Sequence, residues 1–277
     1  MPRKKNGSER PDLRAHFGLH VIPMTREIAV RDRWKHDIYE EVLADLKDTV
    51  AQRRSAAIIG PSGAGKSGIL RSLADALPEA RYRVHYVKVT DLSKRDFCRE
   101  IAVALGSEPA GYYGALVRTI QQRCQSLLEQ ESLRPVILLD EAHDIRPDVL
   151  AILRVLTNFE MDSRLVVSVV LAGQSALRQL LRRDDLEAVA RRIAHYASLR
   201  LLSRQETRHY VEHRLAIAGA KTDLFDSAAH DAVYEAAQGN LRAINRLALK
   251  SLEIAAAQRS KVVGADLVAA ARLKVQP

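Results

Sequence analysis

The sequence predicts an α/β fold in which a parallel sheet lies between layers of helices and is followed by a small all-helical domain. Short apolar segments alternate with segments of helical periodicity between residues 55 and 171, and such alternation is typical of a parallel sheet covered on both faces. After residue 202 the strand signals stop and the helical signals continue. We therefore expect a basic arm and apolar segment at 1–25, an α/β domain at 26–202 and a helical lid domain at 203–277.

The predicted elements follow the chain in a regular order. Residues 1–16 read as a basic arm, and residues 17–23 form a short apolar segment. Apolar spacing, with glycine and proline at the ends of segments, predicts the following elements: helix 31–53, strand 55–59, helix 66–76, strand 82–89, helices 96–105 and 113–130, strand 135–139, helix 149–159 and strand 165–171. In the lid, Ser203-Arg204-Gln205-Glu206 has the form of a capping box, and further helices are predicted near 226–237, 240–257 and 264–273.

Composition excludes some classes of protein and leaves others open. The apolar runs at 136–139 and 165–172 are far shorter than the roughly 20 residues that cross a bilayer. The basic N-terminus has no apolar segment after it, so it does not read as a secretory signal. Cys98 and Cys124 form no metal-ligand pattern, and we expect a cytoplasmic protein without a membrane partner. The formal net charge of +9 is compatible with a polyanionic partner but does not establish one.

A glycine-rich loop follows the first predicted strand. The loop Gly60-Pro61-Ser62-Gly63-Ala64-Gly65-Lys66-Ser67 fits the pattern G-x-x-x-x-G-K-[ST], with a strand before it and a helix after it, which is the context that gives the motif meaning. Backbone N–H groups in such a loop face phosphate oxygens, and the helix N-terminus adds partial positive charge. We expect Pro61 to Gly68 to hold the phosphates of a nucleoside triphosphate, with Lys66 on the β- and γ-phosphates and Ser67 on Mg²⁺.

A pair of carboxylates follows the strand at 135–139. Asp140 and Glu141 come directly after Val136-Ile137-Leu138-Leu139, at the strand end where open α/β sheets bind ligands. We expect Asp140 to act on Mg²⁺ through water and Glu141 to polarise the attacking water. Asp140-Glu141-Ala142-His143 also spells the box of one helicase class. Such helicases need a second ATPase domain, for which the sequence after Ser203 is too short, and we interpret His143 as an ordinary loop residue.

Further polar residues are candidates for contacts with the γ-phosphate. Gln174 follows the strand at 165–171, where it can meet the γ-phosphate or the attacking water; the alternative is a strand cap. Arg191 and Arg192 can stabilise the charge of phosphoryl transfer in a neighbouring subunit, or they form a solvated basic face. Arg242 begins a helical segment of the lid and can reach the γ-phosphate from there, or it is a surface residue.

Taken together, this order of motifs resembles an AAA+ ATPase over nearly the whole chain. More narrowly it resembles the ExeA-like group, which also contains the transposition ATPases TniB and TnsC. The residues that carry the narrower resemblance are Phe17-Gly18-Leu19 with Pro23, Asp140-Glu141-Ala142, Leu153-Arg154-Val155-Leu156-Thr157-Asn158-Phe159-Glu160, Leu171-Ala172-Gly173-Gln174-Ser175-Ala176-Leu177, Arg192-Ile193, Leu201-Leu202-Ser203-Arg204-Gln205-Glu206-Thr207, Tyr210-Val211-Glu212-His213-Arg214-Leu215 and Asn240-Leu241-Arg242-Ala243-Ile244-Asn245-Arg246-Leu247. The sequence departs from the group at Met24, His143 and Leu241, where Phe, Gln and Pro are usual, and none of these changes removes a catalytic group.

The resemblance implies an ATPase that uses ATP and Mg²⁺ and forms a homo-oligomer, either a ring or a helical filament. Secretion-type members continue into a membrane span and a cell-wall-binding part, which this sequence lacks. We therefore expect a regulator that assembles on double-stranded DNA with ATP and recruits or activates a transposase. By analogy with pore-facing loops of related filament-forming ATPases, Lys94 and Arg95 are the expected phosphate contacts, or else they belong to a solvated helix start.

Two alternatives remain open. The first is an assembly ATPase that acts on a protein complex, such as a secretion system, without DNA. The second is a nucleotide-binding scaffold with little turnover. The sequence leaves open which arginine acts in trans.

Overall fold

The computed structural model describes residues 12–88, 91–109 and 111–275. The chain divides into two compact units. The sheet unit comprises Lys35–Arg200, and the helical unit comprises Met1–Trp34 with Leu201–Pro277. Within the described residues, no helix combines the length and the apolar character that a membrane crossing requires.

The sheet unit is built on a parallel five-stranded sheet. Its strands are β1 (Ser55–Ile59), β2 (Tyr82–Lys88), β3 (Arg134–Asp140), β4 (Ser168–Gly173) and β5 (Ile193–Ser198). They lie in the order β2-β3-β4-β1-β5. Since all pairs are parallel, the carboxyl ends of β1, β3 and β4 meet at one edge of the sheet. The side chains of β1, β3 and β4 are almost entirely buried, as expected for central strands covered on both faces.

Helices and short turns of 3₁₀ helix surround the sheet. The helices of this unit are α2 (Asp37–Ala51), α3 (Lys66–Ala76), α4 (Lys94–Ala104), α5 (Tyr113–Glu129), α6 (Pro147–Leu150), α7 (Ile152–Leu156), α8 (Ser175–Leu181) and α9 (Glu187–Ala190), preceded in the chain by α1 (Leu13–Phe17) of the helical unit. Turns of 3₁₀ helix in the sheet unit span Ala142–Asp144, Glu160–Asp162 and Asp184–Leu186. Phe97 and Leu116, from α4 and α5, are completely buried in the core beside β3.

Several predicted elements differ from the observed ones. The strand β5 has no counterpart in the prediction, because its side chains alternate between buried and exposed and it pairs on one side only. The predicted helix 149–159 is two short helices that meet at Ala151, and β4 begins at Ser168 rather than at residue 165. The predicted strand 82–89 is observed to Lys88, and its last residue lies outside the described part of the chain.

The helical unit contains the predicted lid helices. These are α10 (Arg204–Ile217), α11 (Ser227–Ala237), α12 (Leu241–Ala257) and α13 (Ala265–Val275). The capping box at the start of α10 is confirmed, because Ser203 Oγ accepts from the Glu206 backbone N–H at 3.3 Å while the Glu206 carboxylate accepts from the Ser203 N–H at 2.7 Å. Between α11 and α12, Gly239 has φ +74° and a Cβ there would lie 2.0 Å from the Leu202 carbonyl oxygen.

The segment before residue 35 packs with these helices. The Thr25 carbonyl accepts a 2.7 Å hydrogen bond from the guanidinium of Arg214, and the His20 N–H donates to the Ala218 carbonyl at 2.8 Å. The indole ring of Trp34 meets the ring of Tyr210 edge-on, with 5.7 Å between centroids. The predicted domain boundary at residue 26 therefore differs from the observed grouping.

The same packing explains why the first predicted helix starts late. Trp34 has the spacing of a helical core position, and the prediction accordingly placed it in a helix over 31–53. In the structure its ring contacts the helical unit instead, Val30–Asp32 is a turn of 3₁₀ helix, and α2 begins only at Asp37. The described part of the predicted basic arm contains α1, where the Asp12 side chain caps the helix.

Candidate functional site

The glycine-rich loop connects β1 to α3 at the carboxyl edge of the sheet. Gly63 and Gly65 have φ of +77° and +99°, a region that residues with a Cβ rarely adopt. Gly65 is the N-cap of α3, so the first N–H groups of that helix point into the loop without intrahelical partners. The buried Tyr39 of α2 donates from its hydroxyl to the Ala64 carbonyl at 3.2 Å, which anchors the loop on the sheet unit.

Lys66 lies against the inside of this loop. Its side chain is buried, and its ammonium donates to the carbonyl oxygens of Gly60 and Pro61, each at 2.9 Å. These two bonds place the ammonium group on the inner side of the loop. Together with the helix N-terminus, this makes the loop a site for phosphate groups.

The two motifs that the sequence separates are in direct contact. The hydroxyl of Ser67, in the first turn of α3, donates to Asp140 Oδ2 at 2.6 Å. Asp140 is the last residue of β3 and is 3% exposed. A hydroxyl and a carboxylate side by side are oxygen ligands of the kind that Mg²⁺ prefers, directly or through water. The residues present therefore fit a magnesium ion bound between the loop and β3.

Tyr86 extends this contact from the neighbouring strand β2. Its hydroxyl donates to Asp140 Oδ2 at 3.3 Å, although half of the side chain is exposed. Burial of the hydroxyl and the charge of Asp140 raise the pKa of Tyr86 to about 12, so the tyrosine is a hydrogen-bond donor at neutral pH. The sequence analysis missed this residue. The feature that could have identified it is its position in β2, two residues before the end of the strand that pairs with β3.

Glu141 leaves the sheet in an unusual backbone conformation. Its φ is +55°, a strained region for a residue that has a Cβ. The turn Ala142–Asp144 follows at once, and this turn brings the side chain of His143 back towards Glu141. His143 Nδ1 lies 3.5 Å from Glu141 Oε2, and only 10% of the His143 side chain is exposed.

Gln174 contacts the same histidine from the end of β4. Its Nε2 lies 2.7 Å from His143 Nε2. The ring of His143 therefore lies between the two polar residues that were predicted for the site, and its interpretation as an ordinary loop residue stays a prediction. The contacts of His143 could not be predicted from the sequence, because the orientation of its ring depends on the conformation of the turn and not on residue spacing.

The arginine pair lies at the end of α9. Arg191 is paired with Glu187 at 2.6 Å, and its side chain is 76% exposed. Arg192 forms a two-pronged ion pair with Asp162 at 2.8 and 2.9 Å and is 22% exposed. Both arginines line a surface cavity of about 470 Å³ together with Arg154. The surface therefore offers several cations, of which Arg191 is far more exposed than Arg192.

The remaining predicted residues lie on exposed helix starts. Lys94 begins α4 and lies 3.7 Å from Asp148, and Arg95 beside it is exposed. Gly68 is in the first turn of α3. Arg242 is exposed at the start of α12 in the helical unit, where its backbone N–H, not its side chain, bonds to the cap residue Asn240.

Comparisons with known proteins agree with this architecture. Residues 49–181 match the AAA domain family AAA_22. The chain is 31% identical over 261 residues to general secretion pathway protein A of Aeromonas hydrophila, a match covering 92% of this chain and 47% of that protein. The chain thus spans about half the length of this relative.

Two solved structures are similar in fold. One is the Aeropyrum pernix ORC1 protein in complex with DNA, with TM-score 0.64 and 20% identity, covering 89% of this chain and 67% of that one. The other is the Aeropyrum pernix ORC2 protein in ADPNP–ADP complexes, with TM-score 0.67 and 17% identity, covering 95% of this chain and 72% of that one. The predicted α/β P-loop AAA+ fold is confirmed. The grouping with the transposition ATPases stays a prediction.

Proposed function

We propose that this protein hydrolyses ATP with Mg²⁺ and that its site is completed by a neighbouring copy. The contact between Ser67 and Asp140, 73 residues apart in the chain and 2.6 Å apart in space, carries the proposal. It joins the phosphate-binding loop to the strand that ends in Glu141. Lys66 then binds the β- and γ-phosphates, Ser67 and Asp140 hold Mg²⁺, and Glu141 takes the proton of the attacking water. Bound Mg²⁺ supplies neutralisation of the developing phosphate charge.

Phosphate release tests this proposal directly. We expect ATP-dependent release that stops when EDTA removes Mg²⁺. Glu141→Gln keeps nucleotide binding and loses hydrolysis, whereas Lys66→Ala weakens binding itself. Glu129→Gln is the matched control, because Glu129 pairs with Arg164 on the exposed surface, where ion pairs contribute little. Hydrolysis by Glu141→Gln at the parent rate contradicts the assigned base, and a parent that binds ATP but releases little phosphate favours the scaffold.

Arg191 is the residue we propose for action in trans. It is far more exposed than Arg192, and within the described part of the chain its ion-pair partner is Glu187, a solvated glutamate of its own helical turn. An exposed ion pair of this kind costs little to break, so Arg191 can turn to a γ-phosphate held by another copy. Arg192 instead holds Asp162 and with it the turn Glu160–Asp162.

Mixing two inactive variants tests this arrangement. Arg191→Ala retains Glu141, and Glu141→Gln retains Arg191, so a mixture contains interfaces with both groups. We expect each variant alone to hydrolyse ATP slowly and the mixture to recover part of the parent rate. Arg183→Ala, which removes an exposed arginine paired with Asp185, is the control and should retain the parent rate. A mixture no faster than its components contradicts action in trans.

For the partner, two candidates are each supported by an observation. The similarity to general secretion pathway protein A favours an assembly ATPase that works on another protein complex. The net charge of +9 and the exposed Lys94 and Arg95 favour a DNA-bound regulator of a transposase, as does the fold shared with a protein solved on DNA. We place the protein-complex candidate first, because the relative at 31% identity covers nearly the whole chain.

A binding assay separates the two candidates. If DNA is the partner, duplex binding requires ATP analogue, and its affinity falls steeply as salt rises because phosphate contacts release counterions. Lys94→Ala and Arg95→Ala should each lower the salt slope by about 1. Absence of ATP-dependent duplex binding at low salt eliminates the DNA candidate and leaves the assembly ATPase.

A further inference from the structure

The ring of His143 connects the two polar side chains that flank the site of hydrolysis. Gln174 Nε2 approaches one ring nitrogen at 2.7 Å, and Glu141 Oε2 lies 3.5 Å from the other. We propose that His143 is a positioning residue that orients the Glu141 carboxylate and couples it to Gln174. This inference rests on the proposed ATP hydrolysis and adds to it a residue that does not touch the nucleotide.

The contacts of the ring favour one tautomer. Where the Gln174 amide nitrogen donates to His143 Nε2 at 2.7 Å, the ring proton resides on Nδ1. Asp144 Oδ1 also lies 3.6 Å from that Nε2. That Nδ1 is buried and has no hydrogen-bond partner among the residues that the structure describes. An unsatisfied buried N–H costs about 1–3 kcal/mol, and the Glu141 carboxylate is the acceptor next to it. A small rotation of Glu141 therefore satisfies both groups and fixes the direction of its second oxygen.

The backbone around His143 holds the ring in place. A Cβ at Gly173 would lie 3.2 Å from the backbone nitrogen of His143 and 2.9 Å from the side chain of Leu177. The turn Ala142–Asp144 is thus packed tightly against the end of β4 and the start of α8. Gln174 is the N-cap residue of α8, so a shift of this residue is transmitted through the ring to Glu141.

A positioning role predicts a particular pattern of kinetics. A carboxylate displaced by about 1 Å can lose up to ~10²-fold in rate, while the phosphate contacts of the loop are unchanged. We expect His143→Ala to lower kcat by roughly 10- to 100-fold, with KM and the Kd of a fluorescent ATP analogue changing less than about threefold. His143→Gln should recover much of the lost rate, because its amide can accept from Gln174 and donate to Glu141.

A double-mutant cycle tests the coupling. If the ring transmits the position of Gln174, the effects of His143→Ala and Gln174→Ala on log kcat are not additive. His85→Ala is the control, since it removes another histidine of the sheet unit, which bonds to the Ala104 carbonyl. Thermal melting of every variant identifies any loss of folding.

Each outcome supports or overturns the inference. A selective fall in kcat, rescue by His143→Gln and non-additivity with Gln174 support it. Three results overturn it. The first is a parent-like kcat for His143→Ala, the second is an equal loss of kcat and of nucleotide affinity that His143→Gln fails to rescue, and the third is additive effects on log kcat in the double-mutant cycle. In these cases a parent that hydrolyses ATP and loses activity with Glu141→Gln still upholds the proposed function. A parent without Mg²⁺-dependent hydrolysis overturns the proposed function and this inference together.

Discussion

Gly173 is the position where one methyl group should displace the candidate site. A Cβ there would lie 2.9 Å from both Cβ and Cδ2 of Leu177 and 3.2 Å from the His143 backbone nitrogen. Leu177 is completely buried, so its side chain cannot swing into solvent, and the third contact is with main chain. The strain in Gly173→Ala must therefore move either α8 or the turn Ala142–Asp144, which carries His143.

The size of the effect follows from the packing. Inserting a methylene into a packed core costs about 1–3 kcal/mol, and for a protein of this size that lowers the melting temperature by roughly 2–12 °C. If the turn moves by about 1 Å, kcat falls by up to ~10²-fold. Nucleotide affinity should change less than kcat, since the strained contacts are with Leu177 and His143, although the Gly173 carbonyl also accepts from the Gly60 N–H of the loop at 3.2 Å.

The assay is phosphate release together with thermal melting of the same preparations. Gly114→Ala is the matched control, because its added Cβ would approach only the ring of Tyr112, which is 67% exposed and can move aside. The control should keep the parent kcat and melting temperature. If Gly173→Ala also keeps both, the close approach of β4 to the turn does not position the site, and the reasoning fails.

Three further outcomes are expected from other parts of the chain. Burial raises the pKa of Cys98 and of Cys124 to about 12, so both thiols should resist alkylation at pH 8 until the protein is unfolded. Because the folded-state pKa values are raised, the protonated thiols contribute their full share of the free energy of unfolding below the unfolded pKa of about 8.5. This contribution is lost as pH rises from there towards 12. Urea unfolding at pH 8 and at pH 10.5 measures the loss. Gly239→Ala should destabilise the helical unit by roughly 2–4 kcal/mol, from positive φ and overpacking together, and a parent-like melting curve would contradict this. Arg192→Ala should lower the melting temperature more than Arg191→Ala does, since of the two only Arg192 is 22% exposed and forms a bidentate ion pair; equal shifts would contradict the separation of their roles.

The sequence predicts well those elements whose ends are marked by glycines or by helix-capping residues. The limits of β1 and α3 are observed at the predicted residues, because glycines separate a run of buried apolar residues from an amphipathic helix. The start of α10 follows from its capping box. The strand β5 was not predicted for two reasons. An edge strand needs few apolar residues, and this strand is defined by its pairing with β1, which is distant in the chain.

For the site, local motifs predict the groups but not their connections. The loop and the pair Asp140 and Glu141 can be predicted from the sequence because the residues of each motif are contiguous in the chain. The hydrogen bond from Tyr86 to Asp140 depends on the parallel register of β2 and β3. The place of His143 depends on the positive φ of Glu141, which no residue pattern indicates at a position occupied by glutamate. Pairing register and turn conformation are therefore what the sequence leaves undetermined.

Arg191 and Arg192 are neighbours in the chain but have different surroundings. The end of α9 directs one side chain outwards beside Glu187 and the other towards Asp162. An arginine that must reach another copy has to be available when that copy arrives, and a bidentate ion pair opposes this because leaving it breaks two charge-assisted hydrogen bonds. The same pair suits a residue that holds the turn Glu160–Asp162. Under the proposed action in trans, Arg191 would be the cation that reaches the other copy and Arg192 would support the turn, and the mixing experiment with Arg191→Ala tests the first of these roles.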